Sequence, residues 1–277
     1  MALSDKLTAL TFYLEQEEEL PMKYSLCIGA YSGKDEIYHL EKVKEHGFHG
    51  LEYYAWWELQ DLKKTAREQE RIGVGINATC TKFISLVDET LRDSYLEGVR
   101  QTIEACKALN IRSVISQTGN VLEGIPRDKQ RQAMVETLKR CAPLFEEAGI
   151  VLEVEPLNGL VDHQGHFLQR SDESIDVIDQ VDSPNVKIVF DVYHQQITEG
   201  NVIRNATGYI DRINHYHIAD NPGRYQPGTG ELNYVNILRA IKNTGFSGFI
   251  GLECGFTIDT DLAIQQFKNE VITQVNA

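Results

Sequence analysis

The segment Gly149–Asp191 reads GIVLEVEPLNGLVDHQGHFLQRSDESIDVIDQVDSPNVKIVFD, with a helix pattern between two strand patterns. Residues 149–155 and 186–191 are short runs rich in valine and isoleucine, which is typical of buried strands. Residues 171–181 repeat apolar side chains three and four positions apart, which is typical of an amphipathic helix. A strand, a helix and a strand in this order predict two parallel strands connected through a helix.

The same alternation occupies most of the chain. The predicted strands are 23–29, 49–54, 72–78, 111–117, 149–155, 186–191, 212–218 and 248–253. The predicted helices are 35–46, 58–71, 87–109, 128–147, 171–181, 197–210, 233–244 and 260–274. Eight strands that alternate with eight helices, without a Pro/Gly/Ser-rich linker, predict an α/β fold with one closed (β/α)8 barrel. A doubly wound open sheet is the alternative, but residues 28–33 lack the glycine spacing of its dinucleotide loop.

The first 21 residues have a different pattern. Leu3, Leu7, Leu10 and Leu14 fall at helical spacing, and Pro21 ends the segment. We therefore expect an N-terminal helical extension (1–21) followed by the barrel domain (22–277).

Composition restricts the function. The net charge is −14, from 41 acidic and 27 basic residues, and this disfavours nucleic acid and anionic membranes as partners. The five cysteines are widely spaced without a CxxC pair, which is typical of thiols in a reducing compartment. No apolar run has membrane-spanning length, and the N-terminus lacks a signal-peptide pattern, so we expect a cytoplasmic protein.

Four consecutive predicted strands end in groups that bind metals. Glu155, Asp191, His217 and Glu253 stand at the ends of strands five to eight. The carboxyl ends of parallel barrel strands meet at one rim, where barrel enzymes have their active sites. A single carboxylate there is more often a cap or an ion-pair partner, but four such groups favour one divalent cation. Three oxygen ligands and one imidazole suit Mn²⁺, Mg²⁺ or Co²⁺, with Zn²⁺ also possible.

Two further charged residues precede these ligands. Glu153 lies two residues before Glu155, and His215 lies two residues before His217. We expect both to point away from the barrel lumen toward the helices, as structural residues. Glu52, within the second predicted strand, is a candidate for supporting the ligands from behind.

The loop after the seventh strand, residues 218–234 (IADNPGRYQPGTGELNY), resembles the signature loop of the hydroxypyruvate isomerase family, among the xylose isomerase-like barrels. Residues 155–158 (EPLN), 190–194 (FDVYH) and 251–253 (GLE) are similar to that family's other motifs. The resemblance implies that the same four residues bind the metal and that Glu155 and Glu253 are the catalytic acid and base. Hydroxypyruvate isomerases usually have Gln at the third ligand position, whereas this chain has His217, as the related ketose 3-epimerases do.

Four more residues are candidates for substrate binding. His194 is expected to hydrogen-bond a substrate oxygen, and Asn158 to bind substrate or orient Glu155. Arg224 lies in a loop stiffened by proline and glycine, so its guanidinium suits a carboxylate or adjacent hydroxyls; bracing the loop against Asp220 or Glu231 is the alternative. Trp57 either walls the pocket or packs against helices.

These features predict a metal-dependent isomerase that acts through an enediolate, most specifically on hydroxypyruvate to give tartronate semialdehyde. The alternative on the same site is a ketose 3-epimerase or another sugar isomerase, and a lyase of oxidised sugars is a further option. An abasic-site endonuclease needs more metal ligands and a basic groove, and a non-catalytic sugar-binding barrel would not need the four ligands. By analogy with related barrels, we expect a homodimer or homotetramer.

Overall fold

The computed structural model describes residues 22–277; the predicted N-terminal helical extension (1–21) therefore lies outside the described residues. Eight parallel strands close into a barrel in the order β1 to β8, with β8 paired to β1. The strands are β1 (Lys23–Cys27), β2 (Gly50–Glu52), β3 (Gly75–Cys80), β4 (Ser113–Ser116), β5 (Val151–Val154), β6 (Val186–Asp191), β7 (Ile213–Ile218) and β8 (Phe249–Leu252). The predicted (β/α)8 barrel is confirmed, and the open sheet is excluded.

Helices cover the outside of the barrel. They are α1 (Glu36–Glu45), α2 (Leu62–Ile72), α3 (Arg92–Leu109), α4 (Arg127–Ala148), α5 (Ser171–Val181), α6 (Val192–Thr198), α7 (Val202–Gly208), α8 (Tyr234–Lys242), α9 (Thr260–Phe267) and α10 (Thr273–Asn276). A stretch of π-helix, Lys268–Ile272, joins α9 to α10. No helix within residues 22–277 combines the length and the apolar character needed to cross a bilayer.

The predicted helix at 197–210 is wrong in its start and its continuity. Helix α6 begins directly after Asp191, whose carboxylate accepts hydrogen bonds from the backbone N–H groups of Tyr193 and His194. Gly200 and Asn201 then interrupt the helix with φ values of 62° and 52°. Glycine and asparagine tolerate this left-handed region best, so the chain turns here before α7.

The main core lies between strands and helices. Strand residues such as Leu26, Leu152 and Ile250 are completely buried in it, and each buried aliphatic side chain contributes about 1.5–3 kcal/mol relative to exposure. A smaller apolar cluster lies apart from it and is formed by Ala78, Cys80, Ile115 and Val189. Apolar packing on the outside thus holds the barrel closed and leaves part of its interior available to polar groups.

The expectation that Glu153 and His215 point out of the barrel is wrong. Glu153 is fully buried and lies 3.4 Å from the Nδ1 atom of His215. His215 in turn lies 3.0 Å from Glu52 on β2, and because β2 and β7 are not neighbouring strands, this contact runs through the lumen. The physical reason is the two-residue period of a strand: residues i and i+2 share a face, so Glu153 accompanies Glu155 and His215 accompanies His217.

Candidate metal centre

The four predicted ligands lie together at the rim of the barrel. Each of Glu155, Asp191, His217 and Glu253 offers one nitrogen or oxygen atom, and these atoms all lie within 4.8 Å of one another. They reach the same point because parallel strands bring their carboxyl ends to one rim. We call these four residues the quartet.

His217 occupies the middle of the quartet. Its Nδ1 lies 3.1 Å from Glu155 Oε1 and 3.3 Å from Glu253 Oε2. Its Nε2 lies 2.9 Å from Glu52 Oε2 on the opposite side of the ring. One ring nitrogen therefore faces the quartet, and the other is occupied by a carboxylate behind it.

Burial and mutual repulsion shift the pKa values in this centre. Burial, and then the charge of Glu253, raise the pKa of Asp191 to about 6. Burial would lower the pKa of His217, but Glu52 and Glu253 raise it well above its usual value. Burial would raise the pKa of Glu253, but His217 and Arg224 bring it below its usual range. The carboxylates of the centre thus repel one another, and the nearby cationic side chains compensate this repulsion only in part. Such an arrangement favours a bound cation.

His194 lies beside the quartet at the start of α6. It is fully buried, and its Nε2 lies 3.6 Å from Asp191 Oδ2 without a hydrogen-bond partner among the described residues. Its Nδ1 lies 2.6 Å from the side-chain amide nitrogen of Asn158. Burial lowers the pKa of His194 to about 4, so the ring is neutral near pH 7.

Asn158 acts on His194 rather than on Glu155. Its amide oxygen accepts hydrogen bonds from the backbone N–H groups of Val161 and Asp162, and its amide nitrogen also donates to the Asp162 carboxylate. These contacts fix the amide and leave it fully buried. The structure therefore places Asn158 on the Nδ1 side of the His194 ring, whereas Nε2 faces Asp191.

Arg224 reaches the quartet from the loop after β7. Its guanidinium donates to Glu253 Oε2 at 2.9 Å and lies over the ring of Tyr193, 5.6 Å from the ring centre. Within the described part of the chain it hydrogen-bonds neither Asp220 nor Glu231, so the bracing alternative is not observed. Because its φ of 57° is left-handed, the backbone turns sharply at this residue.

Asp220 holds the shape of this loop instead. Its carboxylate is fully buried and accepts backbone N–H groups from Asn221, Gly228 and Leu232 at 2.9, 2.8 and 3.1 Å. A side chain at Gly230 would overlap the carbonyl oxygen of Asn221, so only glycine fits there. The loop is thus organised around one buried carboxylate, which leaves the arginine free to face the quartet.

A cavity of about 260 Å³ opens beside the quartet, over the ends of β1 to β4. Three of the quartet line one side of it, and the rest of its wall is formed by Cys27, Ile28, Glu52, Tyr54, Ala78, Thr79, Cys80, Phe83, Ile115 and Gln117. Trp57 is not part of this wall and packs edge-on against Phe83, with ring centres 5.3 Å apart. Tyr54 and Phe83 therefore supply the aromatic part of the wall, and Trp57 contacts it through Phe83.

Sequence reasoning missed most of this wall. The ends of strands five to eight drew attention through their charged groups, but Cys27 and Cys80 end β1 and β3 in the same way. The strand-end rule applied to the first four strands would have identified them. No local pattern identifies Phe83, because it lies in the loop after β3 and reaches the cavity through tertiary packing.

Comparisons with known proteins agree with this architecture. The model of the xylose isomerase-like TIM barrel family matches residues 40–266. Hydroxypyruvate isomerase of Escherichia coli is 29% identical over 83% of this chain and 90% of its own length. The 2-oxo-tetronate isomerase of Pectobacterium atrosepticum is 30% identical over 61% of this chain and 64% of its own length.

Solved structures share the fold. An AP endonuclease of family 2 from Brucella melitensis superposes with a TM-score of 0.85 at 22% identity, over 90% of this chain and 99% of its own. D-psicose 3-epimerase from Clostridium cellulolyticum, solved with D-tagatose, superposes with a TM-score of 0.74 at 20% identity, over 92% of this chain and 97% of its own. At these identities the likeness concerns the fold alone.

Proposed function

Because the chain belongs to the xylose isomerase-like TIM barrel family and is similar in sequence to curated isomerases, we propose that it uses a divalent metal ion to isomerise small hydroxy-carbonyl compounds. The first candidate reaction converts hydroxypyruvate to tartronate semialdehyde through an enediolate. The observation that carries this proposal is the convergence of Glu155, Asp191, His217 and Glu253 within 4.8 Å of one another.

The donor set fits a divalent cation. It offers three carboxylates and one imidazole nitrogen that faces them, which suits Mn²⁺, Mg²⁺ or Co²⁺, with Zn²⁺ possible. The raised pKa of Asp191 records the repulsion that such a cation relieves. When bound, the ion polarises the substrate carbonyl and stabilises negative charge that develops next to it.

We assign the proton transfers to Glu155 and Glu253. They follow β5 and β8, so within the quartet their carboxylates come from different sides of the rim. One carboxylate removes the proton next to the carbonyl, and the other group returns a proton, each with an effect of about 10²–10⁴-fold. Return to the neighbouring carbon gives isomerisation, and return to the opposite face of the same carbon gives epimerisation.

We assign substrate binding to His194 and Arg224. His194 is neutral, and because Asn158 fills its Nδ1 side, its Nε2–H is free to donate to a substrate oxygen near Asp191. Arg224 keeps further N–H groups beyond the one that bonds Glu253, and these suit a carboxylate or a pair of hydroxyls. In this proposal Asn158 positions His194 and does not touch substrate.

The proposal is tested with Mn²⁺-loaded protein incubated in D₂O with hydroxypyruvate, followed by NMR for deuterium incorporation and product. Glu155→Gln and Glu253→Gln should each abolish exchange, whereas the control Glu104→Gln, at an exposed helix residue, should keep it. Full exchange in both site variants would contradict the assigned reaction class. Absence of exchange in wild-type protein with every divalent ion and substrate tried would contradict the enzyme itself.

A ketose 3-epimerase is the second candidate, and the cavity favours it. One water occupies about 30 Å³ of the liquid, so a cavity of about 260 Å³ holds on the order of nine water-sized groups, more than the non-hydrogen atoms of a three-carbon acid. None of the described residues that line it is lysine or arginine, so apart from the proposed metal ion the cavity offers a substrate carboxylate no strongly basic partner. If deuterium is incorporated into a neutral ketose but not into hydroxypyruvate in the same assay, the result would favour the epimerase.

We also propose that the protein is a cytoplasmic homodimer or homotetramer that binds no nucleic acid. The net charge of −14 supports the last point. The exposed Leu160 and Val161 next to the rim, at 68% and 60% exposure, support self-association. Light scattering on the purified protein measures the oligomer, and a monomer at micromolar concentration would contradict it.

A further inference from the structure

The side of His217 that faces away from the quartet is held by a second carboxylate. Its Nε2 lies 2.9 Å from Glu52 Oε2, and the ring and the carboxylate are both buried. The two residues are 165 positions apart and lie on strands β2 and β7, which are not neighbours. The contact therefore crosses the lumen below the quartet.

Glu52 is itself held in place on its other oxygen. Oε1 accepts a hydrogen bond from Ser25 at 2.5 Å and lies 3.0 Å from His215 Nε2. His215 is held from behind by Glu153, at 3.4 Å. These contacts fix both carboxylate oxygens of Glu52, so one of them stays directed at His217.

The backbone makes room for this carboxylate. A Cβ atom at Gly251 on β8 would overlap Glu52 Oε1 and lie 3.0 Å from the His217 ring. The glycine therefore leaves the space that the carboxylate fills, beside the ring it contacts. Any larger residue would displace Glu52 from His217.

We propose that Glu52, supported by Ser25 and given space by Gly251, is a positioning residue that sets the tautomer and ring orientation of His217. With Nε2–H donated to Glu52, the Nδ1 lone pair is directed at the quartet, where a divalent ion would bind. A carboxylate behind a metal-binding histidine typically changes metal affinity by about 10–100-fold. This inference rests on the proposed function, because it concerns the same metal centre.

The experiment measures Mn²⁺ affinity and stoichiometry by calorimetry, and the tautomer of His217 by NMR of ¹⁵N-histidine-labelled protein loaded with diamagnetic Zn²⁺. Glu52→Gln should bind Mn²⁺ about 10–100-fold more weakly and lose the single Nε2–H form of His217. Gly251→Ala should weaken binding similarly, although Glu52 is still present. The matched control is Glu199→Gln: its buried side chain hydrogen-bonds Ser171 and Asn205 and touches neither Glu52 nor His217, so it should bind Mn²⁺ within about threefold of wild type. If Glu52→Gln does not fold, Ser25→Ala, which removes one donor to Glu52, should weaken binding to a smaller extent.

Each result decides the inference. Unchanged affinity and tautomer in Glu52→Gln or Gly251→Ala would overturn it while leaving the proposed function intact. A second ion per chain that Cys27→Ser removes would also overturn it, because the thiol of Cys27 lies within 4.8 Å of the Glu52 and His217 atoms and Glu52 would then be a ligand. Wild-type protein that binds none of Mn²⁺, Mg²⁺, Co²⁺ or Zn²⁺ would overturn the metal-dependent function together with the inference.

Discussion

Replacement of Asp220 by alanine should release the loop that carries Arg224. The carboxylate accepts three hydrogen bonds of 2.8–3.1 Å from backbone N–H groups of residues on both sides of the arginine in the sequence. A hydrogen bond to a charged group contributes about 1.5–3 kcal/mol. Adding three such contributions overstates the loss of loop stability, because the freed N–H groups bond to water when the loop opens. We therefore expect the loop to lose about 3–5 kcal/mol of stability in total.

Hydrogen exchange measures this loss directly. Since each 1.4 kcal/mol is tenfold, the amides of Gly228 and Leu232 should exchange roughly 10²- to 4 × 10³-fold faster in Asp220→Ala. The kcat/KM should fall as well, because Arg224 no longer stays beside Glu253. The exchange rates in Asp220→Asn should lie between those of wild type and Asp220→Ala, because the new amide keeps an acceptor oxygen but turns an N–H group toward one of the backbone donors.

The matched control is Glu231→Ala in the same loop. The carboxylate of this exposed residue accepts hydrogen bonds only from the side-chain amides of Asn221 and Gln196. The change should therefore lower the stability of the loop by less than about 1 kcal/mol. Exchange at Gly228 and Leu232 that stays at the wild-type rate in Asp220→Ala would refute the role given to the buried carboxylate.

Three further predictions concern the metal, the arginine and pH. Mn²⁺ at about 100 times its Kd should stabilise the protein by about 2.7 kcal/mol, which calorimetry detects as a Tm rise of about 5–10 °C; an equal rise in Asp191→Asn would argue against binding at the quartet. Arg224→Lys keeps the charge but loses the planar fork, so kcat/KM should fall about 10–100-fold in steady-state kinetics; a fall below threefold would contradict direct substrate contact. Burial would raise the pKa of Asp261, but hydrogen bonds from Lys42 and two other side chains lower it to about 2, below about 3.9 in the unfolded chain. The resulting stabilisation is complete above about pH 4 and is lost as pH falls through about 2. For a side chain that is 40% exposed it amounts to about 1 kcal/mol at most after screening. The gap in unfolding free energy between wild type and Asp261→Asn should therefore shrink between pH 7 and pH 2, and a constant gap would contradict this assignment.

The sequence alone determined the barrel and the place of its rim. Strand and helix periods are local properties, and the order of eight such pairs leaves few topologies, so strand order is enough to bring Glu155, Asp191, His217 and Glu253 to one rim. The same local rule also places Glu153 and His215 inside the lumen, and the opposite expectation came from misapplying the two-residue period.

Only the tertiary structure decided which side chains meet across the lumen. The contact of Glu52 with His217 joins strands that are not neighbours, and the Arg224 guanidinium bonds Glu253, which follows β8, rather than Asp220 or Glu231 in its own loop. The sequence left open whether Trp57 lines the pocket or packs against helices, and in the structure Phe83 lines the cavity while Trp57 packs against Phe83. Such contacts depend on how the closed barrel and its loops direct each side chain, and a pattern along the chain carries no information about that direction.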